Sequence, residues 1–375
     1  MPKKRILVFP FDLLSHYLRC IVLVNQHFNK DDYDVIFLKS NKYCNYITEH
    51  GFETFDGEQF DSQKVMACSE KFDFSWLNVA DLERVFLSQV NAIREFKPDM
   101  VIGDVAPTLK MAAELTKTEH IALVNGYMTR HYAYTRKVSR ANPAYGYSKK
   151  IPEKYFNMIT QFAEKISFKL VHKPFNKLRK KYGLKRINNY LLEMEGNQNW
   201  ICDLPELFPQ NNLPANYKSI GPLIYKVTKQ EGVWLQNLQS EKPIIFICMG
   251  STGNWKALRF LNNESYCRYT IITAGDTENE LFAQHIVSRD FVNIEEVLKV
   301  SKLMICHGGN GTIYHGLIKG IYMLCLTSNF EQEWNVHALE RFSYGCSAND
   351  FNISDWDKAI RKRLNFKLAT TLDVS

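Results

Sequence analysis

The chain has 375 residues, 45% of them apolar and 23% charged, and carries a net charge of +7. That length suits two domains better than a single core, and the ordinary apolar fraction excludes a disordered or low-complexity chain. No apolar run reaches the ~18 residues of a membrane-spanning helix, and the mild positive charge suits an anionic small ligand or lipid surface without selecting either; no nucleic-acid partner is expected.

The opening "MPKKRILVFPFDLL" has the basic and apolar parts of a signal peptide. Pro10 and Asp12 interrupt it and no small-residue cleavage site follows, so it reads as a first buried strand over 6–10. A helix is expected over 16–29, then strands over 35–39 and 100–104, a helix over 107–116 and a strand over 121–125. Strands alternating with helices imply a parallel sheet. The alternation lapses over 127–196, which is aromatic, basic and helical in pattern. Two short strands follow in "WICDLPELFP" and "KSIGPLIY". A polar stretch over 226–241 reads as a linker. A second series then begins, with strands expected in "PIIFICMGSTGN", "YTIITAG", "DFVNI", "LMICHGG" and "YMLCL". The nine cysteines form no CxxC pair, which points to reduced thiols and a cytoplasmic location.

The segment "LMICHGGNGTIYHG" places a glycine turn between a strand and a helix. Bare N–H groups at a helix N-terminus attract an anion, and the dipole adds to the pull. Gly308, Gly309 and Gly311 lack a Cβ that would block approach, Asn310 lies among them, Thr312 can cap the helix or reach a phosphate oxygen, and His307 can donate from the strand end. The inferred ligand is a phosphate or diphosphate. Neither GxGxxG nor GxxxxGK[ST] fits, because position 314 is Tyr314 and no lysine follows. Ser251 and Thr252, in a second strand-end loop, could donate to the same anion.

These residues, with Gly320 and "FEQEWNV", resemble the donor-binding signature of family 1 glycosyltransferases. "VFPFDLLSH", "KPDMVIGD", "LRKKYGL", "LPELFP", "SIGPLIY" and "FVNIEEVLKVSKLMICHGG" are similar to further landmarks of macrolide and antibiotic glycosyltransferases, in the expected order. The resemblance implies the α/β GT-B fold, two Rossmann-like domains facing a cleft. An acceptor-binding domain would span 1–225, the linker 226–241, a nucleotide-sugar domain 242–350, and a C-terminal helix and tail 351–375. It implies that His16 is the base of an inverting displacement with Asp104 behind it, since an imidazole titrates near neutrality and a carboxylate fixes its tautomer. It also implies that Glu331 and Gln332 hold the sugar, with Asn335 steadying them. Phe291, Val292 and Ile294 would sit at the nucleoside. The base-clamp glutamine of the family is missing, and His315 stands where many members have a glutamate, so uridine and thymidine donors both remain open.

No cofactor and no metal is expected beyond the UDP- or TDP-sugar co-substrate. The triplets at Asp32/Asp34 and Asp355/Asp357 read as decoys, the second as a helix start with Ser354 as cap and Asp357 at the third position. The acceptor is expected to be a small apolar or amphipathic molecule, natural product or lipid-like, against a wall that includes Tyr127, His131 and Tyr132. Residues 165–186 form a basic amphipathic stretch, a candidate for peripheral membrane contact. The alternatives are a nucleotide-sugar epimerase, which needs no acceptor, and a non-catalytic nucleotide-sugar-binding accessory.

Overall fold

The computed structural model describes residues 2–227, 231–238, 242–250 and 253–364. The chain divides into two compact units, Met1–Tyr225 and Lys226–Ser375.

The first unit runs β1 Lys4–Pro10, α1 Leu14–His27, β2 Tyr33–Leu38, α2 Cys44–Glu49, β3 Glu53–Phe55, α3 Ser62–Glu70, α4 Val79–Phe96, β4 Met100–Asp104, α5 Leu109–Thr116 and β5 Glu119–Val124. It continues with α6 Glu153–Val171, α7 Lys173–Lys181, α8 Tyr190–Glu193, β6 Gln198–Ile201 and β7 Tyr217–Ser219. The seven strands form one sheet in the order β3-β2-β1-β4-β5-β6-β7, with every pairing parallel. The "ILVFP" of β1 is buried on both faces, as a strand covered by helices on each side must be. One apolar layer gathers Leu7, Phe9, Val101 and the inner faces of α4 and α5; the other gathers Ile6, Val8, Ile102 and the inner face of α1.

The second unit runs α9 Gly232–Asn237, β8 Ile244–Cys248, β9 Thr270–Ala274, β10 Ile286–Arg289, α10 Ile294–Val300, β11 Ser301–Cys306, α11 Asn310–Ile318, β12 Met323–Cys325, α12 Phe330–Arg341, β13 Gly345–Ser347 and α13 Ile353–Arg363. Its six strands pair in the order β10-β9-β8-β11-β12-β13, again all parallel.

Several expectations are corrected. "DFVNI" is not a strand: the strand ends at Arg289, and Asn293 accepts from the Glu296 N–H to cap α10, a role its short amide side chain suits. The cap of α13 is Asn352 rather than Ser354, and Asp355 rather than Asp357 completes the capping box; Asp357 instead meets Arg268 and Arg361. The expected linker 226–241 contains α9. Of the amphipathic stretch 165–186, Phe175 and Leu178 face inward and are fully buried, because the chain passes from α6 into α7 and the apolar face turns with it. Long α4, the second-unit edge strand β13 and the short edge strand β3 had no counterpart in the sequence reading.

Candidate active site

In each sheet the strand order reverses once, between β1 and β4 in the first unit and between β8 and β11 in the second. The loops leaving the two strands at such a reversal diverge and open a crevice at their carboxyl ends. His16 and Asp104 fall at the first of these places, and His307 with the glycine turn at the second.

At the first reversal Pro10 and Asp104 are register partners. Asp104 ends β4, and the next residue, Val105, turns the chain at φ +51°, a costly conformation for a β-branched residue. His16 lies in the first turn of α1. Its Nδ1 is 3.0 Å from Oδ2 of Asp104, 88 positions away in the chain. The helix leaving β1 must pass the end of β4, which brings them together. Asp104 therefore serves the histidine, while Thr108 occupies the N-cap position of α5.

A third member was not read from the sequence. Arg19 Nε donates to Asp104 Oδ2 at 2.7 Å, and its Nη2 engages Oδ1. Arg19 Nη1 donates to the side-chain oxygen of Asn125 at 2.8 Å, and Asn125 Nδ2 donates to the Tyr127 hydroxyl at 2.9 Å. Burial alone would raise the Asp104 carboxyl, but the Arg19 guanidinium, and after it His16, hold it well below the usual carboxylate range. The signal for Arg19 was present in the run "HYLRCIVLV". A lone cation on a buried helix face needs an anion, and it lies one turn beyond His16, on the same side of the helix.

The same contacts assign the histidine tautomer. His16 Nδ1 faces a carboxylate oxygen at 3.0 Å and the Arg19 Nη2 at 3.4 Å. The shorter contact is to an acceptor and the longer to a donor, so Nδ1 carries the proton and Nε2 carries the lone pair. Phe11 packs edge-on against the ring at 5.8 Å between centroids. A polar hollow lined by Asp12, Lys39, Gln59 and Ser88 opens at the carboxyl ends of β1, β2 and β3.

Of the expected acceptor wall, Tyr127 is corrected: it is 1% exposed, packed on Phe208. It supports the loop from behind and cannot touch an acceptor in this structure. His131 and Tyr132 are partly exposed. Tyr132 faces the Arg136 guanidinium at 5.7 Å. Arg136 also fastens the loop by donating to the carbonyls of Tyr127 and Thr129 and to Glu164 of α6.

At the second reversal Cys248 and Cys306 are register partners, and the loops that follow them carry Gly250 and "HGGNGT". The glycines divide their work. A Cβ on Gly250 would come within 2.7 Å of the His307 ring, and one on Gly309 would strike the same ring. Gly308 sits at φ +80°, and a Cβ there would meet Val336 of α12 at 2.7 Å. These three are required by the protein's own packing, for Gly308 and Gly309 in addition to the ligand approach expected from the sequence. Around Gly311 a Cβ would meet nothing within 4 Å among the described residues, so its missing side chain leaves space among them beside the start of α11. The N-cap of α11 is Gly309, and no side chain caps it; Thr312 is its third residue.

Burial pushes the His307 imidazole down to about 4, so it is neutral at physiological pH. Its Nδ1 is buried without a partner among the described residues, as is expected of a group that awaits a ligand or water. Asn335 Nδ2 donates to the Gly308 carbonyl at 3.0 Å and holds the turn. Asn310 and Glu331 are partly exposed, while Gln332 is buried and its amide oxygen accepts from the Ser328 N–H at 2.7 Å. Phe291 is exposed, Val292 is buried, and Ile294 opens α10. Burial also pushes His315 down to about 4. Ser251 and Thr252 lie outside the described residues.

No family model matches the chain. Among curated proteins it is 27% identical over 273 residues to the PGL/p-HBAD biosynthesis glycosyltransferase of Mycobacterium tuberculosis (strain ATCC 25177 / H37Ra), which covers 72% of this chain and 63% of that protein. It is 24% identical over 342 residues to the PGL/p-HBAD biosynthesis rhamnosyltransferase of Mycobacterium bovis (strain BCG / Pasteur 1173P2), covering 88% of this chain and 74% of that protein. The chain thus spans less than two thirds of the length of the first of these relatives. Among solved structures, the glycotransferase of kitacinnamycin superposes with a TM-score of 0.70 at 14% identity, over 98% of this chain and 92% of that one. The spinosyn rhamnosyltransferase SpnG complexed with thymidine diphosphate gives a TM-score of 0.64 at 15% identity, over 96% and 92%. The fold is that of the GT-B glycosyltransferases, and the resemblance read from the motifs extends to curated relatives over most of the chain.

Proposed function

We propose that this chain, which has the fold of the GT-B glycosyltransferases and curated relatives named as glycosyltransferases, moves a sugar from a nucleoside diphosphate sugar to a hydroxyl of an apolar or amphipathic acceptor. The observation that carries the reading is the His16–Asp104 pair at 3.0 Å, at the carboxyl end of the first sheet. His16 Nε2 takes the acceptor proton as the hydroxyl oxygen attacks the anomeric carbon. Asp104 balances the imidazolium that forms. The bond from that carbon to the diphosphate breaks on the far face, so the anomeric configuration inverts. The departing charge meets the N-terminus of α11 and the neutral His307 ring, fixed donors that suit charge developing in the transition state. In this reading those donors do the work that a metal does in other transferases. Glu331 and the neighbouring Gln332 act on the sugar. The acceptor belongs to the first unit and the donor to the second.

A thymidine diphosphate sugar is the donor we favour, with rhamnose the first sugar to test. The support is a rhamnosyltransferase matched over 88% of the chain and the bound nucleotide of SpnG. The test is a panel of TDP-, UDP- and GDP-sugars, scored by thermal shift and then by nucleotide release with and without an amphipathic hydroxyl acceptor. Acceptor-dependent release is the expected result. Sugar isomerisation without any acceptor would instead identify an epimerase. Nucleotide binding with no turnover on any acceptor would identify an accessory.

A further inference from the structure

Helix α6 turns an apolar face outward. Tyr155, Met158, Ile159, Phe162, Ile166 and Leu170 are all exposed, from 46% at Ile166 to 68% at Phe162, and no residue of the helix is buried. Successive helical residues rotate by ~100°, so spacings of three and four residues gather these side chains into one stripe. The opposite side does the packing: Glu164 accepts from Arg136 at 2.8 Å, and Phe168 stacks on Tyr190.

Charge is distributed about the stripe unevenly. Lys154, Lys165 and Lys169 are exposed along one flank. By the same rotation the only two carboxylates of the helix, Glu153 and Glu164, fall on the packing side, while Ala163 and Ser167 occupy the other flank. The lysines of α7 continue the positive field, with Lys173, Lys177 and Lys180 all exposed. A contiguous apolar stripe of this kind on a folded unit marks a surface of interaction. Its partner has to accept apolar side chains and supply negative charge at their edge. A second copy of the chain offers the same lysines and, on this face, no carboxylate to meet them.

We infer that α6 lays this face on an anionic lipid surface, its apolar residues entering the boundary between headgroups and acyl chains while the flanking lysines meet lipid phosphates. Among the described residues no helix is long and apolar enough to cross a membrane, so contact of this kind lies along the surface.

The experiment is flotation of the full chain with phosphatidylcholine vesicles made with and without phosphatidylglycerol. Binding is expected with phosphatidylglycerol and to weaken as salt is raised. Phe162→Ser with Ile166→Ser should lower the bound fraction about tenfold, and Lys165→Gln with Lys169→Gln should lower it several-fold on anionic vesicles alone. Equal binding by parent and variants overturns the inference, as does equal binding to both kinds of vesicle or binding to neither. Self-association in sedimentation that Phe162→Ser abolishes, without vesicle binding, assigns the face to a second copy and overturns it too. The inference stands apart from the transferase reading. Melting temperature and nucleotide affinity of the variants should stay parental, so failure of one claim leaves the other standing.

Discussion

Arg19 grips both oxygens of Asp104, and His16 shares one of them: Nε of Arg19 and Nδ1 of His16 both converge on Oδ2, at 2.7 Å and 3.0 Å. The carboxylate behind the histidine is therefore divided between two partners. That division lowers what it can lend to an imidazolium and fixes its position at the same time.

The simplest consequence concerns the histidine alone. His16→Ala is expected to lower transfer by about 10²–10⁴-fold and to leave donor affinity at the parental value, since His16 lies in the first unit. Turnover measured beside calorimetric nucleotide binding checks this; a variant that turns over like the parent removes the base assignment.

Arg19 separates charge from geometry. Arg19→Gln leaves Asp104 buried with a weaker partner and should cost about 3–5 kcal/mol, read by chemical denaturation. The Asp104 carboxyl is depressed in the folded chain. Its contribution to stability is thus present above the ordinary aspartate range and is lost as pH falls through the folded value. Arg19→Gln raises that folded value, so acid unfolding should begin at higher pH than in the parent. Arg19→Lys keeps the charge without the fork, so it should lower kcat while retaining most of the stability that Arg19→Gln loses.

The glycine turn yields a contrast between neighbours. Gly309→Ala drives a methyl into the His307 ring and should destabilise the second unit by about 1–3 kcal/mol. A Cβ at Gly311 would meet nothing within 4 Å among the described residues, so melting of the unliganded Gly311→Val chain should barely change. Its nucleotide affinity should fall about tenfold or more, roughly 1.4 kcal/mol. Thermal shift with and without thymidine diphosphate reads both. Undiminished affinity in Gly311→Val would sink the diphosphate cradle.

Buried His120 predicts an acid liability away from the chemistry. It is 3% exposed, its Nδ1 has no partner among the described residues, and burial, assisted by Lys110, pushes it down to about 3. The unfolded histidine takes a proton near 6.5 while the folded one does not, so stability falls as pH drops from about 6.5 towards 3. At pH 5 the loss is about 2 kcal/mol. His120→Gln should remove that part of the pH dependence, and denaturation curves at pH 7 and pH 5 measure it.

Much of this was legible in the order of residues. The apolar runs of β1, β4, β8 and β11 sit where the sequence placed them, because a strand buried on both faces reads as an unbroken apolar run. His16 and Asp104 were legible because His16 follows the loop that leaves β1 and Asp104 ends β4, and the parallel topology brings such ends to one edge. The β10 assignment slipped by several residues. "IVSR" is short and half exposed, while the apolar Phe291 and Val292 beside it belong to the loop that leads into α10.

What the sequence determined by itself was periodicity and punctuation: two parallel α/β series, a glycine turn opening a helix, an imidazole after the first strand and a carboxylate at the end of another. Only the tertiary structure decided how those groups are shared. It took Arg19 to Asp104, set Tyr127 behind the loop, and gave Gly250 and Gly309 to the His307 ring while leaving Gly311 facing open space. It also exposed the apolar side of α6. Each of those outcomes depends on which atoms of distant segments come within a few ångströms of one another, and spacing along a chain does not encode that until packing has fixed both partners.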